Sequence, residues 1–122
     1  MITVVSEIFV NEDNKEEYLK IAADLKPLLA DFEGFISVER FASLQDPNKI
    51  LSLSVWENEE ALTKWRKNIM HRRAQSAALD RIYTDFRIRV GEVVRDYSLS
   101  DRKEAPVDSN EFHKEIMESI IK

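Results

Sequence analysis

Two tryptophans and a histidine carry the chemistry that this chain could do. Trp56 closes the run LSLSVW, Trp65 follows within a helical segment, and His71 comes soon after it. An imidazole titrates near neutrality, so His71 could serve as general base, proton shuttle or haem ligand. It equally suits the solvated side of the basic run Lys64–Arg73. Two indoles can wall a flat organic molecule, and they can also be ordinary core, Trp65 falling on the apolar side of its helix. Ser52 and Ser54 alternate with Leu51, Leu53 and Val55, which marks one wetter or more closely approached face. Tyr83 can hydrogen-bond a phenolic or carboxylate group or cap a core edge. The candidate catalytic pair is therefore His71 and Trp56, and the candidate pocket comprises Trp56, Trp65, Ser52 and Tyr83. Such a group could work on a flat organic substrate or on haem.

Other chemistries find less support. The chain has no cysteine, which removes thiolate nucleophiles, iron–sulfur clusters and thiolate zinc sites. Glu57, Glu59, Glu60 and His71 form no recognised metal-ligand spacing, so no metal is expected. There is no glycine-rich phosphate loop, dinucleotide fingerprint or nucleophile elbow. A formal charge of −5 argues against nucleic acid as a partner. No stretch approaches the roughly 20 apolar residues of a membrane helix, and MITVVSEIFV lacks the basic start and apolar core of a signal peptide. A soluble cytoplasmic protein is the expectation.

The elements that must position these residues follow from periodicity. With 122 residues the chain fits one domain and a short appendage. Ile2–Val10 is β-branched and reads as a strand, Asn11–Asn14 as a turn in which either Asn could cap a helix. Tyr18, Ile21, Ala22, Leu25, Leu28 and Leu29 make one apolar stripe, with a kink expected near Lys26 because Pro27 lacks a backbone donor. Phe35, Ser37, Glu39 and Phe41 alternate against Ile36, Val38 and Arg40 as a second strand, and Ile50–Trp56 is the third. Asn58 can cap a helix beginning at Glu59, whose apolar side carries Ala61, Leu62, Trp65 and Ile69. Helical periodicity continues over Met70–Tyr83, after a bend near Asn68. Phe86, Ile88 and Val90 form a fourth strand, with a bulge near Gly91 where the phase changes. The order strand–helix–strand–strand–helix–strand is the split βαβ pattern of an α+β, ferredoxin-like domain over residues 1–97. Residues 98–122 then supply a polar linker and a short amphipathic helix, Phe112–Ile120, that needs a surface to cover.

The order and spacing of several motifs resemble those of the antibiotic biosynthesis monooxygenase domain family, the dimeric α+β barrel group. They are Phe32–Phe35 (FEGF), Val55–Ala61 (VWENEEA), Trp65, His71–Gln75 (HRRAQ), Asp85–Val90 (DFRIRV) and Val93–Tyr97 (VVRDY), together covering residues 2–97. The resemblance implies a homodimer formed through the sheets, each subunit holding a cavity between sheet and helices. In the quinone-forming branch, phenols are oxidised by dioxygen without metal or nicotinamide, the deprotonated substrate supplying the electrons. That branch's strand-end tryptophan falls on Trp56, its asparagine on Ser52 and its tyrosine on Leu62. In the haem-degrading branch the helical tryptophan falls on Trp65, the asparagine near Ile8, and the iron-ligating histidine near Gln75, with His71 one turn earlier. The expected activity is a cofactor-independent monooxygenase acting on a small aromatic or polyketide-like molecule. Haem binding or degradation, and a non-catalytic dimeric ligand-binding protein, are the alternatives.

Overall fold

The structure, a computed structural model, describes the backbone of residues 1–75 and 82–121 and the side chains of residues 1–69 and 82–120. The chain divides into two compact units, Met1–Glu92 and Val93–Lys122. The first unit therefore ends a few residues before the boundary expected after Tyr97.

The first unit is built on four antiparallel strands: β1 (Ile2–Val10), β2 (Phe35–Ala42), β3 (Lys49–Trp56) and β4 (Tyr83–Glu92), in the order β2-β3-β1-β4. Between β1 and β2 runs α1 (Lys15–Ala30), and between β3 and β4 runs α2 (Glu59–Gln75). This is the ferredoxin-like α+β fold that the periodicity implies. Side chains of a strand alternate between faces, and the face carrying Ile2, Val4, Ser6, Ile8 and Val10 is the one the helices cover. One cluster joins Ile2, Val4, Leu29, Trp56 and Ala61, with Phe32, Phe35, Val38, Leu62 and Trp65 against it. A second joins Val10, Tyr18, Ile50 and Ile82.

Local chemistry fixes the ends of these elements. Asn58 caps α2, its Oδ1 accepting from the Ala61 amide at 2.8 Å. Neither Asn11 nor Asn14 caps with its side chain; a 3₁₀ turn over Glu12–Asn14 leads into α1 instead. Pro27 does not divide α1, which runs unbroken to Ala30. The carbonyl that Pro27 leaves without its helical donor belongs to Ala23, which is exposed and can meet water. Leu28 is 41% exposed and stands off the buried stripe of Tyr18, Ala22 and Leu29.

Two irregularities differ from the sequence expectation. Strict alternation of β2 fails, because Phe35 pairs with Trp56 and Ser37 with Val55, leaving Ile36 as the extra residue of a bulge. Phe35, Val38 and Arg40 therefore share the helix-covered face. In β4 the register shift lies between Phe9 and Val10 of its partner, opposite Asp85 and Tyr83, and not at Gly91, which pairs regularly with Thr3. The Thr84 hydroxyl bonds the Phe9 carbonyl at the shift. Likewise α2 is continuous past Asn68 to Gln75, and Tyr83 opens β4 instead of closing a helix.

Gly34 joins α1 to β2 with φ +85°, in the left-handed region. A Cβ there would overlap the Cβ of Ala61, and the Gly34 carbonyl accepts the Glu57 amide at 2.8 Å. The tight approach seats the start of α2 against the end of α1.

In the second unit, α3 spans Val107–Ile121, starting earlier than the expected Phe112. Arg102 organises the segment before it. Its guanidinium donates to Asn110 Oδ1 (3.1 Å), Ser109 Oγ (2.7 Å) and the Ser98 carbonyl (3.2 Å), and stands over the Tyr97 ring. Phe112, Ile116, Met117 and Ile120 are all exposed.

Candidate functional site

Between the sheet and its two helices lies a cavity of about 330 Å³. Its floor is read directly from the strand register. One row across the sheet is Phe35, Trp56, Ile2; the next is Val38, Ser54, Val4, Val90; the third is Arg40, Ser52, Ser6, Ile88. All but Phe35 and Ile2 line the cavity, and Leu25 and Leu29 of α1 and Leu62, Trp65, Arg66 and Ile69 of α2 close it from above. The α2 residues recur at helical spacing, so one face of a single helix supplies that wall.

Trp56 belongs to both core and cavity. It is 1% exposed, and edge-on rings of Phe32 and Phe35 surround it at centroid distances of 6.1 and 5.4 Å. Its indole N–H donates to Ser54 Oγ at 3.0 Å, which satisfies the one polar atom of an otherwise apolar side chain. Trp65 stands 6.3 Å from Trp56 and 5.3 Å from Phe32, centroid to centroid. The two indoles thus form one aromatic block at the end of the cavity where α2 begins.

The opposite end of the floor is polar. Ser52 and Ser6 are paired neighbours, and Arg40 flanks Ser52 on the other side. The Arg40 Nε donates to the Tyr18 hydroxyl at 3.4 Å. Among the described residues Arg40 and Arg66 form no ion pair, and no carboxylate lines the cavity. Its ionisable lining is cationic.

Of the residues expected from sequence, the structure brings together Trp56, Trp65 and Ser52 on this cavity. Tyr83 lines a neighbouring hollow of about 180 Å³ with Ser6, Ile8, Phe86 and Ile88, and its ring packs edge-on to Tyr18 at 6.0 Å. The His71 backbone belongs to α2, while its side chain lies outside the described residues. Sequence reasoning missed Ser6 and Arg40 as cavity residues. For Ser6 the signal was present, a lone serine on the inward phase of an apolar strand. For Arg40 the bulge at Ile36 hid it, since simple alternation sets Arg40 on the face opposite Phe35. Among the described residues no group of three acidic, histidine or cysteine side chains could hold a metal ion. No helix among them is long and apolar enough to cross a membrane.

Comparison with known proteins agrees with this architecture. The chain is 40% identical over 93 residues to the jasmonate monooxygenase ABM of Pyricularia oryzae; the match covers 76% of this chain and 43% of that protein. The chain thus spans less than half the length of that relative. A protein from Deinococcus radiodurans, assigned as an antibiotic biosynthesis monooxygenase, has a crystal structure that superposes with TM-score 0.69 at 14% identity, covering 80% of this chain and 97% of its own. A point mutant of MhuD, crystallised with two manganese protoporphyrin IX molecules per active site, superposes with TM-score 0.68 at 19% identity, covering 80% and 99%. At such identities the two structures speak to the fold. The sequence model of one family, antibiotic biosynthesis monooxygenase, matches residues 1–77, well over half of the chain. The chain belongs to the antibiotic biosynthesis monooxygenase family.

Proposed function

We propose that this protein is a monooxygenase that oxidises a small, largely apolar organic molecule with dioxygen, the substrate itself supplying the electrons. The observation that carries this reading is the cavity of about 330 Å³ between sheet and helices, with the Trp56–Trp65 block at one end and hydroxyls at the other. Its volume lies at the lower end of the ~300–1,000 Å³ usual for small-molecule sites. A one- or two-ring compound, aromatic or polyketide-like, suits that space better than a porphyrin. The relative from Pyricularia oryzae is named for jasmonate, which makes jasmonate a second compound to offer.

The chemistry needs no outside reductant when a ring C–H next to an ionised oxygen becomes a carbonyl. One dioxygen is consumed, one oxygen atom enters the product and the other leaves as water. The wall of Trp56 and Trp65 orients the ring and excludes bulk water, and His71 takes the proton that starts the reaction. Oxygen uptake with a panel of naphthols, anthrones and jasmonate tests the reading. Uptake matched one-to-one by product is expected, falling about 100-fold in His71→Ala, as for loss of a general base. No uptake with any of them removes the oxygenase reading; undiminished uptake in His71→Ala removes the histidine from it.

The face of the sheet opposite α1 and α2 completes the proposal. Val5, Phe9, Leu51, Leu53 and Val55 lie there half-buried, around a Glu7 that pairs with Lys49 (3.5 Å) and Arg89 (3.4 Å). A central apolar band of this kind, flanked by Glu39, Lys49, Arg87 and Arg89 on the same face, can be covered by a second copy of the chain, giving a homodimer through the sheets.

A further inference from the structure

We propose that the cavity takes a carboxylic acid in its ionised form, its carboxylate held by Arg40 beside Ser52 and Ser6 and its apolar body directed towards Trp56 and Trp65. The inference rests on reading this cavity as the substrate site and names the class of molecule it selects.

The register makes the polar end a built feature and not a scatter of side chains. Arg40, Ser52 and Ser6 occupy one transverse row on β2, β3 and β1. Adjacent strands lie about 4.8 Å apart, so the three side chains stand shoulder to shoulder. The next row towards the tryptophans carries Val38, Ser54 and Val4, and the Ser54 oxygen is already engaged by the Trp56 indole. On the sheet floor, polarity available to a ligand is thus confined to one end.

The donors there are in surplus. Tyr18 engages only the Nε of Arg40, and among the described residues the two Nη groups have no partner. The hydroxyls of Ser6 and Ser52 also have none among those residues. Arg40 is half-buried, and among the described residues the cavity lining contains no acid to neutralise it. A guanidinium presents parallel N–H groups that match the two oxygens of a carboxylate, and a partly desolvated pair of that kind is stronger than a neutral hydrogen bond. Arg66, exposed on α2, adds a second positive charge to the same lining. A neutral ketone or phenol brings no charge to the half-buried guanidinium, which is the basis for discrimination.

Calorimetric titration of the full chain with cyclohexylacetate and with its methyl ester, in the absence of turnover, tests the inference. The acid is expected to bind at least about tenfold tighter than the ester, the scale of one charge-assisted hydrogen bond. Arg40→Gln should abolish that preference, by weakening acid binding more than ester binding, and Arg40→Lys should restore part of it by returning the charge without the fork. Arg66→Gln should weaken acid binding less, and mainly at low salt, because that side chain is exposed. Equal affinity for acid and ester, no binding of the acid, or a preference that survives in Arg40→Gln overturns the carboxylate site. Binding of cyclohexylacetate with no oxygen uptake on any of the naphthols, anthrones or jasmonate keeps the site and removes the oxygenase reading. Oxygen uptake with neutral phenols as fast as with acids keeps the oxygenase and overturns the carboxylate site.

Discussion

Among single residues, Trp56 shows how one side chain serves both stability and the cavity. Its burial makes it part of the core, and its N–H is satisfied only because Ser54 lies two residues earlier on the same face. Ser54→Ala should therefore cost about 1–3 kcal/mol, the penalty for leaving a buried donor without a partner. Urea unfolding of the variant checks this, and an unchanged midpoint would mean that water replaces the hydroxyl. Gly34 gives the companion prediction. A non-glycine residue at φ +85° meets backbone strain of about 1–2 kcal/mol, and its Cβ would also collide with Ala61. Gly34→Ala should lower stability by roughly 2–4 kcal/mol, visible as a fall in Tm, with the oxygen-dependent activity following the folded fraction.

Among the strands and helices, most of the architecture could be read from the chain because period and caps agree. β1 and β3 alternate regularly, and Asn58 followed by Glu59 and Glu60 announces the start of α2. Asn58→Ala should remove the cap bond to the Ala61 amide. The loss should cost about 1 kcal/mol, measurable by thermal unfolding followed through helical circular dichroism. What the sequence concealed has a common cause. A bulge shifts the phase of a strand by one residue without changing its composition, so Ile36 moved Arg40 onto the cavity face and the offset beside Val10 moved the irregularity of β4 away from Gly91. Pro27 does not end the helix, and the carbonyl it frees belongs to Ala23, an exposed residue. For Trp65 the spacing left core and pocket both open, and for Ser52 it marked only the wetter face of the strand; both line the cavity. Arg40 required the register.

For the assembled protein, a four-stranded sheet covered by helices on one face must dispose of the other. Leu53 sits near the middle of that face, paired with Val5 on one side and Glu39 on the other. Leu53→Lys should leave the fold intact, since Glu39 can receive the new charge, and should shift the chain from dimer to monomer in light scattering. A wild-type chain that is monomeric at micromolar concentration would contradict the dimer. The function proposed above requires that dioxygen meet an organic substrate in the cavity between sheet and helices. Turnover of an accepted substrate under ¹⁸O₂, with the product read by mass spectrometry, probes that meeting itself. One heavy oxygen per product molecule is expected, with incorporation lost when Leu29→Trp fills the cavity in a chain that still folds; unlabelled product, or labelling that persists with the cavity filled, would refute it.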